Sequence, residues 1–170
     1  MKTAILVLAL LCTGVVDDAD NKAAKEAEHI EKLVKQLAAS GTLIAEQTRM
    51  NTPKRFQKKV PAWMPPTIDI RSEQLQTGSV GFVRDVVFVD EVLGPNKFRA
   101  TIYVKRPNAD RIFVIIENHS TKDYTDKKQV TLNGVIEVTG TEKTAFGETL
   151  LVFTQREVPM DKIKEAVLAK

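Results

Sequence analysis

Thiols and imidazoles are scarce in this chain. Cys12 is its only cysteine and lies at the end of the first apolar run, so a chain processed beyond that run carries none. Disulfides, thiolate catalysis and cysteine-ligated zinc are then excluded together. His29 and His119 are the only imidazoles. His29 falls on a predicted helix. His119 stands in a polar loop with Ser120, Asp123 and Asp126, but a nucleophile and its base need separate rigid elements to converge, and a loop does not supply them. Asn118, Asp123 and Asp126 carry oxygen ligands of the kind calcium takes. Lys122, Lys127 and Lys128 are interleaved with them, and the EF-hand spacing with its turn glycine is missing. Nor do the glycines form a phosphate cradle: Gly78 and Gly81 open a strand, while Gly140 and Gly147 bracket a hairpin. The expectation is a protein that is not an enzyme, with no catalytic residue, no metal and no cofactor.

Long apolar runs are also missing, apart from one at the start. Met1 and Lys2 precede an uninterrupted apolar run over 4–11, followed by the small residues Thr13 and Gly14 and then by Asp17 and Asp18. A positive end, an apolar stretch of about 7–15 residues and small residues at a cut site describe a secretory signal peptide, here residues 1–16. Crossing a bilayer takes about 20 apolar residues, and the two aspartates stop the run too early for a transmembrane anchor. The expected destination is secreted or periplasmic.

Across the whole chain, 43% hydrophobic and 28% charged residues are a globular balance. The net charge of +3 is unevenly spread. Residues 78–158 hold eleven basic and eleven acidic side chains and are neutral. Arg49, Lys54, Arg55, Lys58 and Lys59 crowd together, with no acid between Glu46 and Asp69.

Residues 17–48 form a helical segment. Its clearest part, 21–39, has Asp20 or Asn21 as N-cap and Gly41 just past the end, with Ala23, Ala27, Ile30, Val34 and Leu37 on one face. Glu28 with Lys32 and Glu31 with Lys35 add pairs in the favourable order. The stripe is too short for a long coiled coil, so it docks on the protein's own β domain or makes a short homodimer contact. A second short helix begins at Thr42. Residues 49–77 are a basic, proline-rich linker, because Pro53, Pro61, Pro65 and Pro66 each remove a donor and restrict the residue before them.

Residues 78–158 alternate with period two. Strands are expected over 80–93, 97–105, 111–117, 130–139 and 148–156, with a bend at Arg84 and Asp85 in the first. In the second, Phe98, Ala100, Ile102 and Val104 face the core, and Lys97, Arg99, Thr101, Tyr103 and Lys105 face out. Residues 159–170 form a short C-terminal helix through Ile163, Ala166 and Val167. The fold class is mainly β: a five-stranded antiparallel barrel behind an amphipathic helix.

Gly78-Ser79-Val80-Gly81-Phe82-Val83 is similar to the opening of an OB-fold barrel. Val135-Ile136-Glu137-Val138-Thr139-Gly140-Thr141 with Leu150-Leu151-Val152-Phe153 resembles its closing hairpin. The whole chain also resembles small exported bacterial proteins that carry such a barrel behind a helix. The family usually has a helix between strands three and four, where this chain has only the polar loop 118–128. The resemblance implies a ligand surface across strands two and three and the adjoining loops, here Lys97, Arg99, Tyr103 and Phe113. The leading expectation is an exported binding or structural module that contacts protein or polymer in the cell envelope. The alternative is nucleic-acid or polyanion binding through Arg49, Lys54, Arg55, Lys58 and Lys59 and the strand-two face. Single-strand binding pairs a positive groove with several stacking aromatics, and a neutral barrel weighs against it.

Overall fold

The computed structural model describes residues 16–103 and 111–169. Val104 and Lys105, expected in strand two, and the 1–15 stretch of the expected signal peptide lie outside the described residues.

Five strands close into a barrel: β1 (Val80–Gly94), β2 (Lys97–Tyr103), β3 (Arg111–Glu117), β4 (Gln129–Lys143) and β5 (Thr149–Arg156). Their order around the ring is β1-β2-β3-β5-β4, with β4 returning to β1. Four neighbouring pairs are antiparallel, and β3 with β5 is parallel. The sheet is therefore mixed, where the sequence suggested antiparallel pairing throughout. A ring with an odd number of strands cannot alternate direction all the way round, so one parallel contact is obligatory. It falls at β3 and β5, between Val114↔Leu151 and Glu117↔Thr154. The two long strands make closure feasible: β4 pairs with β1 through Glu137 and with β5 from Val135 onward.

Alternation along β2 places Phe98, Ala100 and Ile102 in the interior with no solvent exposure. They meet Val87, Val89, Ile116, Leu132 and Phe153 in the barrel core. The bend expected at Arg84 and Asp85 is not a register break, since β1 pairs with β4 residue by residue from Val80 to Phe88. The shifts in β1 come later, between Val89 and Glu91 and between Val92 and Gly94. The loop 118–128 stands where the resembled family has a helix, and it closes one barrel end with side chains. Tyr124 meets Phe98 edge to face at 5.4 Å, and buried Thr121 donates to the Gly94 carbonyl at 2.7 Å.

Helix α1 (Val16–Asn51) is a single helix that runs straight through Gly41. Gly41 was expected to end it. Instead the glycine allows close approach: a Cβ there would fall on the Trp63 indole and 2.5 Å from the Met64 carbonyl oxygen. Trp63 Nε1 donates to the Leu37 carbonyl at 3.2 Å, and the Met64 amide to the Gly41 carbonyl at 3.1 Å. The apolar stripe of α1 is used within the chain. Val34, Leu37 and Ala38 pack with Val135 of the barrel and Ile163 of helix α2 (Met160–Leu168), with Ile30 and Phe82 alongside. Ala23 and Ala27, at the N-terminal end of the same stripe, are exposed.

Residues 49–77, expected to be a linker, contain a six-residue 3-10 helix (Lys54–Lys59) and then a strap packed onto the barrel. Ile70 is 2% exposed in the barrel core, with Ile68 and Leu75 beside it. Gly81 permits this approach, because a Cβ there would stand 2.9 Å from the Pro66 carbonyl oxygen. The Phe82 amide donates to that same oxygen at 2.7 Å, and Thr67 forms a parallel bridge with Phe82.

Candidate binding face of the barrel

One flank of the barrel is covered by α1, α2 and Trp63, which meets Phe82 edge to face at 6.1 Å. The opposite flank is formed by the outward residues of β2 and β3. Register pairs Lys97 with Glu117, Arg99 with Ile115, Thr101 with Phe113 and Tyr103 with Arg111. Cross-strand partners share a face, so Lys97, Arg99, Tyr103 and Phe113 stand together on one surface.

That surface is graded. At one end Tyr103, 46% exposed, is flanked by Phe88 at 5.1 Å, edge to face, and by the Arg111 guanidinium 5.5 Å from its ring centroid. In the middle, Ile115, Leu150 and Val152 form an apolar cluster separate from the barrel core, with Phe113 packed against it. Beyond lies a groove of about 360 Å³ between this sheet and the β4–β5 hairpin, lined among others by Leu93, Arg99, Ile115, Phe146 and Leu150. Phe146 at the hairpin tip is 89% exposed, and Leu93 is 41% exposed.

Two cations of this face, Lys97 and Arg99, are matched by carboxylates. Lys97 Nζ lies 2.6 Å from Glu142 and 3.1 Å from Glu117. Hydrogen bonds to Glu142 and then Glu117 raise the Lys97 pKa above its ordinary value. Arg99 Nε lies 2.6 Å from Asp90, and its Nη1 3.1 Å from Glu91. What remains is an apolar floor with charges of both signs at its rim.

The five basic residues lie elsewhere. Arg49 is in the last turn of α1, and Lys54, Arg55, Lys58 and Lys59 are in the 3-10 helix. The two residue sets of the polyanion reading thus lie on different elements. His119 is taken up in the barrel closure: it lies 6.0 Å from the Phe98 ring and 5.9 Å from Tyr124, and its Nδ1 donates to Gln155 Oε1. Among the described residues no three His, Cys, Asp or Glu side chains converge as a metal site. His29 ties α1 to the barrel, its Nε2 2.8 Å from Glu137, which also receives Arg156 Nε at 2.8 Å. A wider cleft of about 570 Å³ beside this contact is lined mainly by charged side chains such as Lys22, Lys25 and Glu117 and by no aliphatic or aromatic residue like those of the groove.

Sequence reasoning missed Phe88, Ile115, Leu150 and Phe146 as members of the face. Phe88 sits in an apolar run with no visible alternation, and only its register opposite Thr101 turns it outward. Ile115 and Leu150 lie in strands rich in apolar residues, where the pattern does not say which side chains face out. Compared with protein-family models, with curated proteins and with solved structures, the chain matches none.

Proposed function

We propose that this protein is an exported, non-enzymatic binding module, whose OB-like barrel takes an extended segment of another protein across β2, β3 and the β4–β5 hairpin. The ring order β1-β2-β3-β5-β4 and the five-strand closure support the OB-like reading. The observation that carries the ligand class is the apolar floor of Ile115, Leu150 and Phe113 between charge-balanced rims. Apolar pockets between strands suit alternate side chains of an extended chain, and matched rim charges fix register more than they add affinity. A polyanion would have to displace Glu117, Glu142, Asp90 and Glu91 from Lys97 and Arg99, which disfavours it on this face. Export rests on the order of residues in 1–16 and is checked by the mass of the mature N-terminus.

A phage-displayed library of random peptides, panned on the purified protein, tests the reading. Apolar-rich peptides should be enriched, and they should lose binding to a Leu93→Ser, Phe146→Ser variant. Both side chains are exposed, so this variant keeps its fold. Enrichment that the variant retains in full would contradict the assignment, and so would preferential capture of acidic sequences.

A further inference from the structure

The corner where α1 hands over to the 3-10 helix gathers five cations within eleven residues, with no acid between Glu46 and Asp69. Arg49, Lys54, Arg55, Lys58 and Lys59 meet there, and among the described residues none of the five makes an ion pair. Lys97, Arg99, Arg71 and Arg156, by contrast, are held by carboxylates. Three of them are associated instead with aromatic or backbone groups. The Arg55 guanidinium lies 4.7 Å and Lys59 Nζ 5.6 Å from the Phe56 ring centroid. Arg49 Nη2 donates to the Pro61 carbonyl at 3.4 Å.

Apolar side chains are exposed at the same corner. Phe56 is 40% exposed and Met50 72% exposed. Met50, Arg49, Glu46 and Gln57 line one shallow depression of about 290 Å³, which brings the end of α1 beside the 3-10 helix. Trp63 and the Met64 amide, bonded to α1 at Leu37 and Gly41, hold the returning chain against the helix. The corner is therefore built, and it presents cations around an apolar tip.

We infer that this corner docks the protein onto a membrane surface containing anionic phospholipid. Uncompensated cations complement the headgroups, and the exposed Phe56 and Met50 have the boundary with the acyl chains as a natural environment. A nucleic acid would match the charge alone. It would leave Met50 in water, and Phe56, already flanked by two cations, offers a stacked base little open ring face. A transmembrane helix is not required, and none of the described helices is long and apolar enough to be one.

Co-sedimentation of the full chain with vesicles of phosphatidylcholine alone, or mixed with phosphatidylglycerol, tests this. Three chains are compared: unaltered, Lys54→Gln/Arg55→Gln/Lys58→Gln, and Phe56→Ser. All keep residues 1–15, so any contribution of the apolar N-terminus is common to them. A cation near an anionic leaflet contributes a factor of about five in affinity, so the triple variant should bind anionic vesicles roughly a hundredfold more weakly. Phe56→Ser should weaken binding severalfold, and neither change should alter partition onto phosphatidylcholine. All these sites are exposed, and unchanged thermal unfolding confirms folding. Equal binding of all three chains to anionic vesicles would overturn the inference. It would equally fail if Phe56→Ser bound vesicles as well as the unaltered chain while single-stranded oligonucleotide displaced them, since that outcome marks a polyanion site.

Discussion

Gly41 sets local and tertiary preference against each other. In an exposed helix interior, glycine to alanine gains about 1 kcal/mol, yet here the added Cβ would collide with the Trp63 indole. Overpacking costs roughly 1–3 kcal/mol, and displacing Trp63 also breaks its bond to Leu37. Gly41→Ala should therefore lower the unfolding midpoint and red-shift the emission of the only tryptophan; a raised midpoint with unchanged emission would refute the packing. Asp85 makes a second case. Its burial works against the charge, but the Arg71 hydrogen bond, the Val86 amide and the Arg71 charge outweigh that and leave its pKa below the ordinary value. A carboxyl depressed on folding stabilises above its unfolded value, and that contribution is lost as pH falls through the folded value. Arg71→Ala should cost about 2 kcal/mol at neutral pH. In urea titrations this difference should shrink below about pH 4. A difference independent of pH would contradict the ion pair. The sequence carried no sign of the Arg71–Asp85 pairing, because strap and strand meet only in three dimensions.

Among the elements, those with clean periodicity were legible and those with mixed patterning were not. β2 alternates, so Phe98, Ala100 and Ile102 could be assigned inward and Lys97, Arg99 and Tyr103 outward from the sequence. α1 shows a stripe at Ile30, Val34 and Leu37 whose docking on the barrel was among the expected outcomes. Its length was misread because Gly41 signals a helix end equally well as a close contact. In the proline-rich strap, Trp63, Ile68 and Ile70 provide the contacts that hold it on the helix and barrel; proline fixes the path of a chain without saying what it packs on. Helix α2 is short, and it owes its position to Ile163, which has no solvent exposure. Ile163→Ala should cost about 2–4 kcal/mol and loosen α1 along with α2, because both share one cluster. Hydrogen exchange would report this as lost protection in both helices, whereas loss confined to α2 would count against the shared cluster.

For the molecule as a whole, five strands and closure together dictate one parallel pair. The count of strands was readable, but which pair would be parallel was not, since it depends on β4 being long enough to serve both β1 and β5. That closure leaves one flank under the helices and one flank open. The unequal charge distribution in the sequence has its counterpart in three dimensions: Lys97 and Arg99 of the open flank are paired with carboxylates over an apolar floor, and a cluster of five cations stands at the end of α1 and in the 3-10 helix. The open flank is the proposed binding face. Its most direct test is a titration of the isotopically labelled protein with a peptide enriched from the library, followed by amide chemical shifts. The predicted result is shifts concentrated on Leu93, Arg99, Phe113, Ile115 and the β4–β5 hairpin around Phe146. Shifts centred on residues 49–59 or along α1, with the β2–β3 face silent, would contradict it.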